Sequence, residues 1–113
     1  MRTKKISIAK DFSIVPSGRT KDAGSFTAEH FRENMLIPLI KEYDKIEIDL
    51  DGLEMIPPSF FEEAFGGLIR RTKEVGIDPY SIQNKLVILK SNDYSGLDDD
   101  VKRYIANALK QLG

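Results

Sequence analysis

Apolar and polar residues alternate through Lys4-Lys5-Ile6-Ser7-Ile8-Ala9, as they do along a half-buried strand. The same alternation is strict in Lys45-Ile46-Glu47-Ile48-Asp49-Leu50-Asp51, where Ile46, Ile48 and Leu50 share one face and Gly52 supplies a stop. Leu86-Val87-Ile88-Leu89 is apolar throughout, the pattern of a strand covered on both faces. Between these strands the period lengthens to that of helices. From Thr27 to Tyr43, Phe31, Met35 and Leu39 recur every fourth residue, with Leu36, Ile40 and Tyr43 beside them. Pro38 interrupts this run, so a kink or break is expected near Ile37. A broad apolar face, Phe61, Ala64, Phe65, Leu68 and Ile69, marks a second helix from Ser59 to Val75. Val101, Tyr104, Ile105, Ala108, Leu109 and Leu112 mark a third from Asp98 to Leu112, with Asp98, Asp99 and Asp100 suited to its positive end. Gly76 and Gly113 are plausible stops for the second and third helices. Pro16-Ser17-Gly18 signals a turn, after which Gly18-Arg19-Thr20 is short enough to pair back on the first strand, and Ile77 to Asn84 reads as a loop.

Strands alternating with helices imply an α/β domain, with a mostly parallel (mixed) sheet of about four strands packed against helices by right-handed crossovers. The 113 residues suffice for one core, so a single domain over 1–113 is expected, stable without metal or disulfide. The absence of cysteine removes disulfides, thiolate metal sites and cysteine nucleophiles. Apolar runs reach only four residues and the charged start leads into no signal-peptide core, so no membrane association and a cytoplasmic location are expected. A net charge of −1 argues against a general nucleic-acid binder. The charge is uneven: residues 1–28 carry +4, 29–63 carry −7 and 64–113 carry +2. The central block offers either a solvated surface or a negative face for a basic partner.

Candidate chemistry is sparse. His30, the single histidine, has no nucleophile or orienting partner near it in the pattern, and neither a metal motif, a Walker motif nor a dinucleotide fingerprint is present, so no metal or cofactor is expected. Asp49, Asp51, Glu54, Glu62 and Glu63 flank the end of the central strand, the edge where open α/β sheets bind ligands. Pro57-Pro58 precedes Ser59-Phe60-Phe61-Glu62, which reads as a capping box: the Ser59 hydroxyl accepts the Glu62 amide, and the Glu62 carboxylate reaches back. A serine at a helix start is also a place where a phosphate would meet free amides. Gly66-Gly67 in mid-helix costs about 1 kcal/mol per glycine, which implies close packing on the sheet or a partner near the backbone.

Ile46 to Leu53, followed by Ser59-Phe60-Phe61-Glu62-Glu63-Ala64-Phe65-Gly66-Gly67-Leu68, resembles the STAS-like domain family of unknown function (DUF4325). Ser17-Gly18-Arg19, Gly24 and Phe31-Arg32 through Leu36 match its N-terminal half, so the resemblance spans roughly residues 5–110. That family is similar to the anti-sigma-factor antagonist STAS domains, which exchange partners when a GHKL-type serine kinase phosphorylates them. Their Asp-Ser-Ser-Gly quartet, aligned on the strand, falls on Pro57-Pro58-Ser59-Phe60. The acceptor position is therefore Pro58, which has no hydroxyl, and Ser59 is the remaining phosphorylation candidate. The resemblance implies a non-enzymatic protein–protein interaction module in bacterial or phage-related regulation, with a GHKL-type ATPase or histidine-kinase-like domain as partner. The binding surface it implies comprises Pro57 to Phe61, the exposed side of the following helix with Glu63, Gly66 and Gly67, and the Ser17–Ser25 loop with Gly18 and Arg19. The alternative is a small-ligand or nucleotide-binding domain or enzyme using Arg19 with Asp49, Asp51 and Glu63.

Overall fold

The computed structural model describes residues 1–20, 22, 24 and 26–112. Strand β1 (Thr3–Ser7) is followed by the short helix α1 (Ile8–Asp11), helix α2 (28–42), strand β2 (Lys45–Asp49) and helix α3 (58–75). A 3₁₀ turn (Pro79–Ser81) and helix α4 (Ile82–Lys85) lead into strand β3 (Leu86–Ile88), and helix α5 (Leu97–Gln111) closes the fold.

The three strands form one parallel sheet in the order β1-β2-β3, with Ile6 opposite Ile48 and Ile48 opposite Ile88. Consecutive order with right-handed crossovers places α2 and α3 on the same face. The strands record this: Ile6, Ile46, Ile48, Leu86 and Ile88 are buried, whereas Glu47, Asp49, Val87 and Leu89 are only half-buried. The continuous apolar run of β3 is therefore covered on one face, not both. Helix α5 packs on α3, and Phe31, Phe60, Phe61 and Phe65 fill the core beneath the helices with Leu36, Leu68 and Ile69. Phe31 lies 5.8 Å from Phe60 and 6.2 Å from Phe65 between ring centres, within the range in which aromatic pairs attract.

Several local expectations are revised. The sheet has three strands among the described residues: Gly18-Arg19-Thr20 is a loop whose carbonyls at Gly18 and Arg19 accept the amides of Ala28 and Glu29, at the start of α2. β1 ends at Ser7, because the Ser7 hydroxyl accepts the Lys10 amide at 3.1 Å and turns the chain into α1. The expected loop Ile77–Asn84 contains the 3₁₀ turn, started by Asp78 accepting the Tyr80 amide, and most of α4, whose Ile82 is fully buried. Gly76 ends α3 at φ 75°, as a left-handed stop does. The proposed stop at Gly113 lies outside the described residues.

Pro38 does not break α2. The turn just before it, Arg32–Leu36, widens to π geometry, and the Ile37 amide reaches the Arg32 carbonyl five residues back. A second π turn, Glu62–Gly66, lies in α3, where the Gly67 amide reaches the Glu62 carbonyl. Helix α3 begins at Pro58 rather than Ser59, with Pro58 in the first turn, where its missing amide costs nothing.

Candidate functional site

The two π turns carry the charged residues of a network that ties α2 to α3. Arg32 is buried, with 9% of its side chain exposed, so its charge needs partners. It donates from Nη1 to Glu63 Oε2 at 2.7 Å and to the Glu63 carbonyl at 3.3 Å, and from Nε to Glu33 Oε2 at 2.7 Å. Arg71 grips the same Glu33 at 2.7 and 3.0 Å and also pairs with Glu74. Arg70 holds Glu62 at 2.9 Å, and Arg19 reaches from its loop to Glu62 at 2.5 Å and Glu63 at 3.4 Å. The electrostatics follow. The Arg71 hydrogen bond is the chief reason that the Glu33 carboxyl is lowered to about 2; partial burial opposes it and Arg32 adds to it. The Glu62 carboxyl is lowered chiefly by its hydrogen bond from Arg70, against desolvation, with Arg19 adding.

This network explains Gly66 and Gly67. A β-carbon on Gly66 would come within 2.7 Å of Glu62 Oε2, and one on Gly67 within 2.6 Å of Glu63 Oε2 and 2.7 Å of Arg32 Nη1. The glycines accommodate carboxylates folded back along their own helix, not the sheet or a partner. Sequence reasoning missed Arg32, Glu33, Arg70 and Arg71, although the spacing Glu62 to Gly66 and Glu63 to Gly67 carried the signal.

The expected partner-binding residues separate into two groups. Phe60 is in the core, and Gly66 and Gly67 are buried under charged side chains, so none of the three presents a contact surface. Gly18 (half-buried, φ 60°), Arg19, Pro57, Pro58 and Ser59 are accessible to varying degrees, and Glu63 is partly exposed within the network. Of the Ser17–Ser25 loop, Lys21, Ala23 and Ser25 lie outside the described residues. The capping box is not formed. Pro57 is the cap residue, Ser59 sits inside the first turn with no hydrogen bond to its hydroxyl among the described residues, and the Glu62 carboxylate is taken by Arg70 and Arg19. A hydroxyl cap does form at the start of α2, where Thr27 accepts the His30 amide, as Ser7 does for Lys10 at α1. His30 stacks on Phe12 at 5.9 Å and contacts Asn34 through Nδ1 at 3.0 Å. The acidic block loses much of its free charge, because Glu33, Glu62 and Glu63 are all ion-paired.

The acids at the end of β2 do other work. Asp51 accepts from Ser91 Oγ, the Asn92 amide and side chain, and the Asp93 amide, all at 2.9–3.1 Å. Those bonds, the Asp93 amide first, hold its carboxyl below the usual range. Asp93 in turn accepts the Gly52 amide at 2.7 Å, so the loops after β2 and β3 are clasped together. Among the described residues Asp49 accepts only the Asp51 amide, at 2.9 Å. Asp49 and Asp51 line a cleft of about 330 Å³ with Ser7, Ala9, Lys10, Ile14 and Gly52, at the carboxyl ends of β1 and β2. Arg19 and Glu63 are thus brought together, while Asp49 and Asp51 are engaged elsewhere. Among the described residues no group of three or more His, Asp or Glu side chains is arranged to hold a metal, and no helix is long and apolar enough to cross a membrane.

The family model for the STAS-like domain of unknown function (DUF4325) matches residues 27–95, from the Thr27 cap through the loop that Asp51 clasps. The chain belongs to that family. The parallel α/β sheet is consistent with a STAS-like fold, and the matched segment holds both π turns, the ion network apart from Arg19, and the Pro57–Ser59 turn. No curated protein and no solved structure matches the chain. Within this STAS-like domain, β1, α1, the Gly18-Arg19 loop and all of α5 lie outside the matched segment.

Proposed function

We propose that this STAS-like domain is a non-enzymatic protein–protein interaction module with a GHKL-type ATPase or histidine-kinase-like partner. The observation that carries the reading is the Pro57–Ser59 turn. It stands at the surface on a rigid base, with Phe60 and Phe61 fixed in the core directly after it and Glu62 held by Arg19 and Arg70 one turn further. The charged groups that an enzyme would use are committed to binding one element to another: Glu62 and Glu63 to arginines, Asp51 to the loop after β3. A rigid turn among accessible loops is the usual setting of a recognition surface. The test is capture of partners from the native host followed by mass spectrometry, with isothermal titration of the domain against the captured partner. Binding lost on Pro58→Asp supports the reading. A nucleotide titration that saturates in the low micromolar range, with no protein bound, overturns it.

A second reading is control of that interaction by phosphorylation of Ser59. One observation favours it: Ser59 is partly exposed and its hydroxyl makes no hydrogen bond among the described residues, so no cap competes for it. A phosphate there would add nearly two negative charges one helical turn from Glu62 and Arg19. Intact-mass measurement of the protein isolated from its host, and after incubation with a captured GHKL-type partner and ATP, tests it. No mass increase, with unchanged partner binding by Ser59→Asp, leaves a constitutive module.

A further inference from the structure

Three large apolar side chains are exposed on neighbouring loops beside the strand-end cleft: Ile14 at 46%, Val15 at 39% and Met55 at 54%. The loops are joined, because the Glu54 amide donates to the Ile14 carbonyl at 2.8 Å. Ile14 also forms a wall of the cleft, so the apolar surface runs into it. Single exposed apolar residues need no explanation, but a cluster on tied loops marks a contact surface. We propose that this surface receives an apolar segment of a protein partner carrying an arginine or lysine, whose side chain enters the cleft. The proposal rests on the interaction-module reading and names where, and for what chemistry, the contact is made.

The chemistry of the cleft selects the occupant. Ala9 and Ile14 supply apolar walls, and Asp49 and Asp51 supply carboxylates. Asp51 accepts four hydrogen bonds from the 91–93 loop, three on Oδ1 and one on Oδ2, whereas Asp49 uses Oδ1 on the Asp51 amide and, among the described residues, keeps Oδ2. Glu54, beside Ile14, is exposed and has no ion-pair partner among the described residues. Among the residues lining the cleft, Asp49 and Asp51 outnumber Lys10, and Glu54 adds negative charge on the neighbouring loop, so the site is net negative. A long basic side chain matches such a cleft: its methylene stem lies along apolar walls while its head reaches a carboxylate. Phosphate, nucleic acid and anionic headgroups meet like charge here. Ile14 and Val15 precede the segment that the family model covers, whereas Asp49, Asp51, Glu54 and Met55 lie inside it.

The probe is a twelve-residue synthetic peptide of alternating leucine and arginine, compared with its glutamate-for-arginine counterpart by ¹⁵N NMR on the whole chain. The basic peptide is expected to shift the amides of Lys10, Ile14, Asp49, Gly52 and Met55, and the acidic one to bind at least tenfold more weakly. Asp49→Asn, which keeps an acceptor for the Asp51 amide, should weaken the basic peptide at least fivefold. Ile14→Ser and Met55→Ser, both at exposed positions, should each do the same without changing the spectrum of the core. Shifts confined to other surfaces, equal binding of both peptides, or no shifts at millimolar peptide overturns the proposal. If a partner is captured and binds all three variants like the parent, the module stands and this surface falls. If the peptide maps to the cleft but no protein is captured, the surface stands and the module reading falls.

Discussion

Arg32 occupies the space that a side chain on Gly67 would need: its Nη1 lies 2.7 Å from where the β-carbon would be. The guanidinium reaches there to hold Glu63, and the two π turns face each other across this contact. π turns occur mostly as single-turn bulges inside α-helices, and here one carries the buried arginine and the other its glutamate partner.

Gly67→Ala therefore pits helix propensity against the ion network. Alanine gains about 1 kcal/mol in a helix interior, but its methyl group displaces Arg32 or Glu63 from a hemmed position, at a cost of several kcal/mol if the buried pair opens. A net loss of about 1–3 kcal/mol in urea denaturation is expected. A variant as stable as the parent would show that the glycine is not there for the arginine.

Ser59→Ala is expected to change stability by no more than about 0.5 kcal/mol, because the hydroxyl caps nothing. Thr27→Ala, which removes the buried hydroxyl accepting the His30 amide, should cost about 1 kcal/mol. Urea melts of the two variants side by side decide the point. A larger loss at Ser59 than at Thr27 would restore the capping box.

Glu33 links stability to acid. Its carboxyl falls from 4.5 to about 2 on folding, chiefly through Arg71. A depressed folded-state value stabilises the fold above the unfolded value, and that contribution drains away as pH drops from about 4.5 to 2. Glu33→Gln should therefore lose less stability than the parent across this window, while being less stable at pH 7. Parallel profiles for parent and variant would show that Glu33 is not paired in solution.

Asp51→Ala removes the acceptor for the Asn92 and Asp93 amides and the Ser91 hydroxyl. Hydrogen exchange at Asn92 and Asp93 should accelerate at least tenfold, with protection at Ile46 and Ile48 in the sheet core kept at native levels under mild conditions. Unchanged exchange at the two loop amides would mean that the clasp does not hold the loop.

The strand at Lys45–Asp49 and the helices over 28–42, 58–75 and 97–111 were legible in the residue pattern, because a side chain's burial there repeats with the period of its own element. The parallel order of the sheet followed from the alternation of element types. Other features depend on residues far apart in the chain, and no local period encodes them. Arg32 meets Glu63 across 31 positions and Arg19 meets Glu62 across 43. Only that packing turned Glu62 from the back half of a capping box into the partner of two arginines, and left Ser59 without a bond. The same holds for the surface beside the cleft. Ile14 and Met55 stand 41 positions apart in two loops with no shared period, and it is the Glu54 amide bound to the Ile14 carbonyl that joins those loops. Periodicity determined which faces are buried; long-range pairing decided which polar groups are consumed inside the fold and which are left to face a partner.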